Sequence, residues 1–429
     1  MLNSKKVISS ACPVILLGCC ALPAIADCVL DVGVVAGGGN RITCDSNEPN
    51  PYQGVSNAGN GRTSALADEV ILQADTVIAP DADESTFDMG LGNDDISGTG
   101  AVIFGTGTVA IDMGQGNNSI TLSDSALFGS EGVEELVNDG AEVASFSFDG
   151  VRIDSLGWGA RGIATAQGND ILNLTNSRMV IDDEAMGVGI GDDTITILQS
   201  TIDSRGAEAI GSGLGSDEVS ITDSIVITRE TAINGAGGGD TITIENSRLE
   251  SKDAANPLSQ LINAGTGTDN IVLGNCSEIV GNVVAGQGDD VVVVRNLSLL
   301  EGTLNGDRSP PLTPSLNDTL RFEQQLAASA ACTQLMTEIP NLPTPNGSIT
   351  IDGITYNYEG FENIESAITC STAFSCADAP EKGAGDLLFD GLRPPRGDVP
   401  QAVSLPVWAY LGALGLLGLL GAGRLRRVV

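Results

Sequence analysis

The nine residues GIGDDTITI, Gly189 to Ile197, join two signals. Gly189, Gly191 and the carboxylates of Asp192 and Asp193 read as a tight turn, because glycine enters positive φ cheaply and Asp bonds nearby backbone. Thr194, Ile195, Thr196 and Ile197 then alternate polar and apolar, the pattern of a strand buried on one face. Similar segments lie on both sides. Aligned on the carboxylate or amide that closes the turn, the anchors are Asp94, Asn118, Asp170, Asp193, Asp217, Asp240, Asp269 and Asp290. The spacings are 24, 52, 23, 24, 23, 29 and 21 residues. The double-length gap takes one degenerate repeat anchored at Glu142, and an earlier degenerate copy starts near Asp68. A period of about 24 residues signals a solenoid.

The register within each repeat defines its strands. Seven residues before the anchor stand Phe87, Ile111, Ile163, Met186, Ile210, Ile233, Ile262 and Val283. Two residues after it stand Ile96, Ile120, Leu172, Ile195, Val219, Ile242, Ile271 and Val292. Two further on come Leu122, Leu174, Ile197, Ile221, Ile244, Leu273 and Val294, with Gly98 in the first repeat. A turn follows, with Asp124, Asn176, Gln199, Asp223, Asn246, Asn275 and Asn296 six after the anchor, then Ser125, Ser177, Ser200, Ser224, Ser247 and Cys276. A second strand carries Leu127, Met179, Ile202, Val226 and Leu249. Three short strands and three turns per repeat describe an all-β fold, a right-handed single-stranded parallel β-helix of roughly ten coils between residues 62 and 300, ~4.8 Å apart. The amide column resembles the asparagine ladders of the pectate-lyase-like family.

End coils expose strand edges and need caps. Residues 27–61, with Cys28 and Cys44, read as the N-terminal cap, 62–305 as the solenoid and 306–377 as the C-terminal cap. In that cap, LRFEQQLAASAACTQLM (320–336) reads as an amphipathic helix, and SITIDGITYNY (348–358) as a hairpin turning at Asp352-Gly353. Aromatics make up only 3 % of the chain, as suits thin aliphatic layers. The net charge of −36 argues against nucleic acid and anionic membrane surfaces, and the absence of histidine excludes His-based triads and histidine zinc sites.

Both ends carry membrane signals. Lys5 and Lys6, an apolar run and Ala24-Ile25-Ala26 read as a signal peptide over 1–26; processing before Cys19 is the alternative. Cleavage after Ala26 removes Cys12, Cys19 and Cys20 and leaves six cysteines, with Cys28–Cys44 and Cys370–Cys376 as candidate disulfides. Residues 378–402 read as a linker, and 403–429 as a transmembrane tail in which 405–422 are apolar and Arg424, Arg426 and Arg427 follow. Val399-Pro400, Leu405-Pro406-Val407-Trp408, the apolar run and RLRR resemble the sorting tails of Gram-negative exported proteins, the PEP-CTERM and IPTL-CTERM types. Val399-Pro400-Gln401 stands where the first type has Pro-Glu-Pro. The resemblance implies transient anchoring in the inner membrane, cutting by a sortase-like membrane protease, and a final place at the cell surface or outside. The alternative is a permanent single-pass anchor.

The glycine turns resemble the nonapeptide calcium loops of RTX proteins, G-G-x-G-x-D-x-U-x, with MGLGNDDIS (89–97) and GVGIGDDTITI (187–197) fitting well. The resemblance implies Ca²⁺ held by backbone carbonyls and by Asp94, Asp95, Asp170, Asp192, Asp193, Asp217, Asp240, Asp269, Asp289 and Asp290. RTX loops recur every nine residues, whereas these recur once per coil. The alternative is that each Asp caps its own turn. Arg205, Arg229 and Lys252 all lie twelve residues after their anchors and are candidate carbohydrate contacts or a solvated charge row. Two functions remain open: a non-enzymatic surface or matrix rod, and a carbohydrate-active β-helix enzyme acting on extracellular polysaccharide.

Overall fold

A computed structural model of the chain describes residues 28–377, apart from 46–54, 57–62, 79–85, 106–108, 130–134, 140–142, 156–159, 253–258 and 308–316, together with 379 and 382. The signal peptide, most of the linker and the transmembrane tail lie outside the described residues. Among the described residues no helix is long and apolar enough to cross a membrane.

The chain forms a parallel β-solenoid with coils of about 24 residues. Each coil gives one strand to each of three sheets. The first sheet has fourteen strands and contains Thr194–Leu198; the second has ten and contains Thr201–Ser204; the third has thirteen and contains Glu208–Gly211. The expected columns stack in register. Leu172, Ile195, Val219 and Ile242 pair in succession on the first sheet, and Ile163, Met186, Ile210 and Ile233 on the third. All are almost wholly buried, so the core is a set of aliphatic stacks along the axis. Gly98 fits its column because Leu72 and Leu122 close over it.

The corner between the first and second sheets explains the amide column. Asp124, Asn176, Gln199, Asp223 and Asn246 take φ of 43–52°, a left-handed conformation that Asn and Asp tolerate better than other non-glycine residues. The serine after each faces inward. The Oγ atoms of Ser200, Ser224 and Ser247 each accept from the backbone N–H of the serine one coil earlier at 3.0 Å, and donate to the carbonyl two residues before. Ser277, not Cys276, continues this column. One extra residue in that turn puts Cys276 at the left-handed position, with φ 62°.

Four expectations need correction. Ala144, not Glu142, stands at the degenerate anchor, since it pairs with Asn118. A slip of two residues keeps the same side chains inside, so alternation could not detect it. The helix read over 320–336 is confined to Ala330–Glu338; before it, Thr319–Glu323 continues the first sheet and Gln325–Ala327 pairs with Thr369–Ser371. Asp318, Leu320 and Phe322 repeat the anchor pattern, which the proline-containing segment 308–316 hides. Strands Asn363–Ser366 and Ile354–Glu359 also extend the first and third sheets, so the solenoid runs on into the segment read as a cap. Finally, Cys28–Cys44 is a disulfide as read, but Cys370 pairs with Cys332 and Cys376 with Cys276. Helix and sheet carry Cys332 beside Cys370, while the chain folds back to bring Cys376 against the coil of Cys276. The hairpin Gly347–Ile351 and Ile354–Glu359 turns at Asp352-Gly353, both with positive φ.

Candidate functional site

The anchor residues meet in one column inside the corner between the third and first sheets. Asp170, Asp193, Asp217, Asp240, Asp269 and Asp290 are at most 2 % exposed. Each reaches back one coil. Oδ1 of Asp193 accepts from the N–H of Asp170 at 2.7 Å, that of Asp217 from Asp193 at 2.8 Å, and that of Asp240 from Asp217 at 2.9 Å. Asp269, Asp290 and Asp318 continue the ladder, and towards its other end Asp94 serves Asp68 and Asp68 serves Asn40. Parity carried this signal: Asp193 lies two and four residues before the buried Ile195 and Ile197, so it shares their face.

The neighbouring acidic residues point elsewhere. Asp192 is exposed, and its Oδ1 accepts from the N–H of Ser216 one coil forward at 2.9 Å, as Asn169 does for Asp192. Asp95 faces outward and takes a hydrogen bond from the Ser119 hydroxyl. Asp289 is exposed. The Asp-Asp pair is therefore two ladders, an inner one reaching back and an outer one reaching forward, and not a two-carboxylate clamp. The glycine two residues before the anchor is demanded by stacking. A Cβ on Gly215, at φ 149°, would lie 1.7 Å from the carbonyl oxygen of Gly191.

Asn118 shows what the inner ladder requires. It takes the anchor place with Oδ1 accepting from Asp94 N–H at 2.9 Å, while its Nδ2 donates to the Met113 carbonyl at 3.2 Å. In Asp193, Asp240, Asp269 and Asp290 the second oxygen, Oδ2, is buried without a hydrogen-bond partner. An ionised carboxylate can only accept, so it cannot copy the amide; a protonated one can. Burial, above all, pushes these four carboxyls up to about 7, and like charges one coil away add to the rise against the lowering by the ladder bond. Asp170 and Asp217 are also raised by burial, moderated by their ladder bonds and by the nearby hydroxyls of Thr165 and Ser212.

A hard cation could meet the same need. An orphaned buried carboxylate oxygen in a turn rich in backbone carbonyls is a donor set of the right chemistry for Ca²⁺. Among the described residues, no three Asp, Glu or Cys side chains converge as a metal site, so backbone oxygens would supply the rest.

The expected basic row stands at one corner, after the second sheet. Arg205, Arg229 and Lys252 are exposed. Lys252 Nζ pairs with Asp203 at 2.7 Å across two coils, and Arg229 approaches Glu230 at 3.7 Å. Glu208 lies near that row in the sequence, but its pairing with Glu184, on the outer face of the third sheet, was not legible there. The carboxyls of Glu184 and Glu208 fold over Gly187 and Gly211, with Arg161 Nε 3.5 Å from Glu184. Burial, then Glu184, raises Glu208 to about 7. The bare glycines were the available signal. No family model matches the chain, and no curated protein or solved structure matches it.

Proposed function

We propose that the chain is an exported, non-enzymatic rod of the cell surface or extracellular matrix, serving adhesion, envelope or biofilm structure. One observation carries this reading: the repeated acidic motif directs its inner carboxylates into coil-to-coil bonds, one per coil, and so acts in building the rod. Right-handed winding follows from the preference of parallel crossovers. The export signal, the sorting-type tail and its membrane protease belong to the same reading. Ca²⁺ is the proposed ligand of the inner column once its carboxyls ionise, as the resemblance to RTX turns suggests.

The carbohydrate-active reading has one observation in its favour, the Glu184–Glu208 pair, since paired carboxyls with one raised pKa suit acid–base chemistry. A screen of acidic and neutral polysaccharides, with and without Ca²⁺, tests both. The rod reading expects no turnover. Turnover that Glu208→Gln abolishes would overturn it.

A further inference from the structure

The outer face of the second sheet carries a patch unlike its surroundings. Phe104 and Phe128 stand in register on strands Val102–Gly105 and Ala126–Gly129, their rings stacked with centroids 5.4 Å apart. Phe104 is 38 % exposed, whereas Phe87, Phe146, Phe148, Phe322 and Tyr356 are buried. One coil on, Arg152 lays its guanidinium 5.3 Å from the Phe128 ring centre, and Asp154 follows Phe128 in the same column. Arg178 is the in-register neighbour of Arg152, and Thr201 that of Arg178. Two arginines thus lie on adjacent strands of a chain whose net charge is −36.

Two atoms in the patch point to a ligand. Asp154 is only 9 % exposed; its Oδ2 takes both the Nε–H, at 2.6 Å, and the Nη2 group of Arg152, but its Oδ1 is buried without a hydrogen-bond partner. Thr201 is 7 % exposed and its hydroxyl likewise has none. Unmet buried polar atoms are costly, and here they flank the arginine pair. A ligand suited to all four features has an apolar face for the rings, an anionic group for the arginine donors that Asp154 leaves open, and hydroxyls for Asp154 and Thr201.

We propose that this face binds an acidic pyranose of an extracellular polysaccharide, its C–H face on Phe104 and Phe128 and its anionic group on Arg152 and Arg178. Carboxylate and sulfate esters share the required chemistry. The inference extends the adhesive reading and relies on export only for the ligand to be met.

Calorimetric titration of the full chain, in EDTA so that Ca²⁺ bridging plays no part, tests it. The probes are a glucuronic acid oligosaccharide, dextran sulfate and an uncharged gluco-oligosaccharide. At least one charged probe is expected to bind about tenfold or more tightly than the neutral one. Arg178→Gln should remove that preference, and Phe104→Ala should weaken binding about tenfold. Arg321→Gln, on strand Thr319–Glu323 of the first sheet, should bind as wild type. Melting temperatures show whether each variant is folded, and either of the two patch variants suffices. Absence of binding by wild type, equal affinity for charged and neutral probes, or wild-type binding by a folded patch variant would each overturn the proposal. A chain without glycan binding and without turnover would leave the rod reading standing.

Discussion

Asp193 and Asn118 occupy equivalent places in the inner ladder and differ in one group, an Oδ2 against an NH₂. Asn118 makes both bonds that the place offers; Asp193 makes both only when protonated. Asp193→Asn should therefore stabilise the chain at pH 8, with the gain shrinking toward pH 4, as thermal melts at the two pH values would show. Asp193→Ala should instead cost about 1–3 kcal/mol, because the Asp170 N–H loses its acceptor inside the rod. Equal effects of Asn and Ala would contradict the ladder. Gly215 is fixed by geometry of another kind. Gly215→Ala drives a methyl into the Gly191 carbonyl at a φ that disfavours L residues, so a loss of at least about 2 kcal/mol is expected in denaturant unfolding.

At the scale of the element, strands were legible where two periodicities agreed, and misread where one was broken. Ile195 and Ile197 carry both the alternation of a strand and the 24-residue recurrence, so sheet, face and register followed. The coil at Asp318 has the alternation, but segment 308–316 breaks the recurrence, and the alanines of 327–331 then favoured a helix too early. Glu142 was displaced because an even slip leaves every face unchanged. Cys28–Cys44 was legible, but the two C-terminal disulfides were not, since proximity of Cys370 and Cys376 along the chain says nothing about the fold that carries Cys376 back to Cys276. That bond closes a separation of 100 residues, and Lys382 adds an ion pair to Glu278 at 2.5 Å beside it. Replacing Cys276 and Cys376 by Ser should open the C-terminal coils first. Limited proteolysis should cut there while the coils around Asp193 stay protected; simultaneous loss of both would show that the rod melts as one unit.

For the whole molecule, stacking like residues at each coil gives the solenoid its ladders and its acidity together. Four column carboxyls with pKa values near 7, against 3.8 as the ordinary value, bind protons more tightly folded than unfolded. Their contribution is thus full below pH 3.8 and is lost as the pH rises towards 7, after which it is flat. Falling net charge at acid pH acts in the same direction, so the column must be isolated by substitution. A cation binding the ionised form would act in the opposite sense, recovering at pH 8 what the protons supply at pH 5. The most direct measurement is the melting temperature at pH 5 and pH 8, in EDTA, of the wild-type chain and of a variant with Asn at 193, 240, 269 and 290, with Ca²⁺ then added at pH 8. The buried column predicts a wild-type chain several degrees more stable at pH 5, a variant in which most of that difference is gone, and recovery by Ca²⁺ in wild type alone. Equal pH dependence in wild type and variant would contradict it.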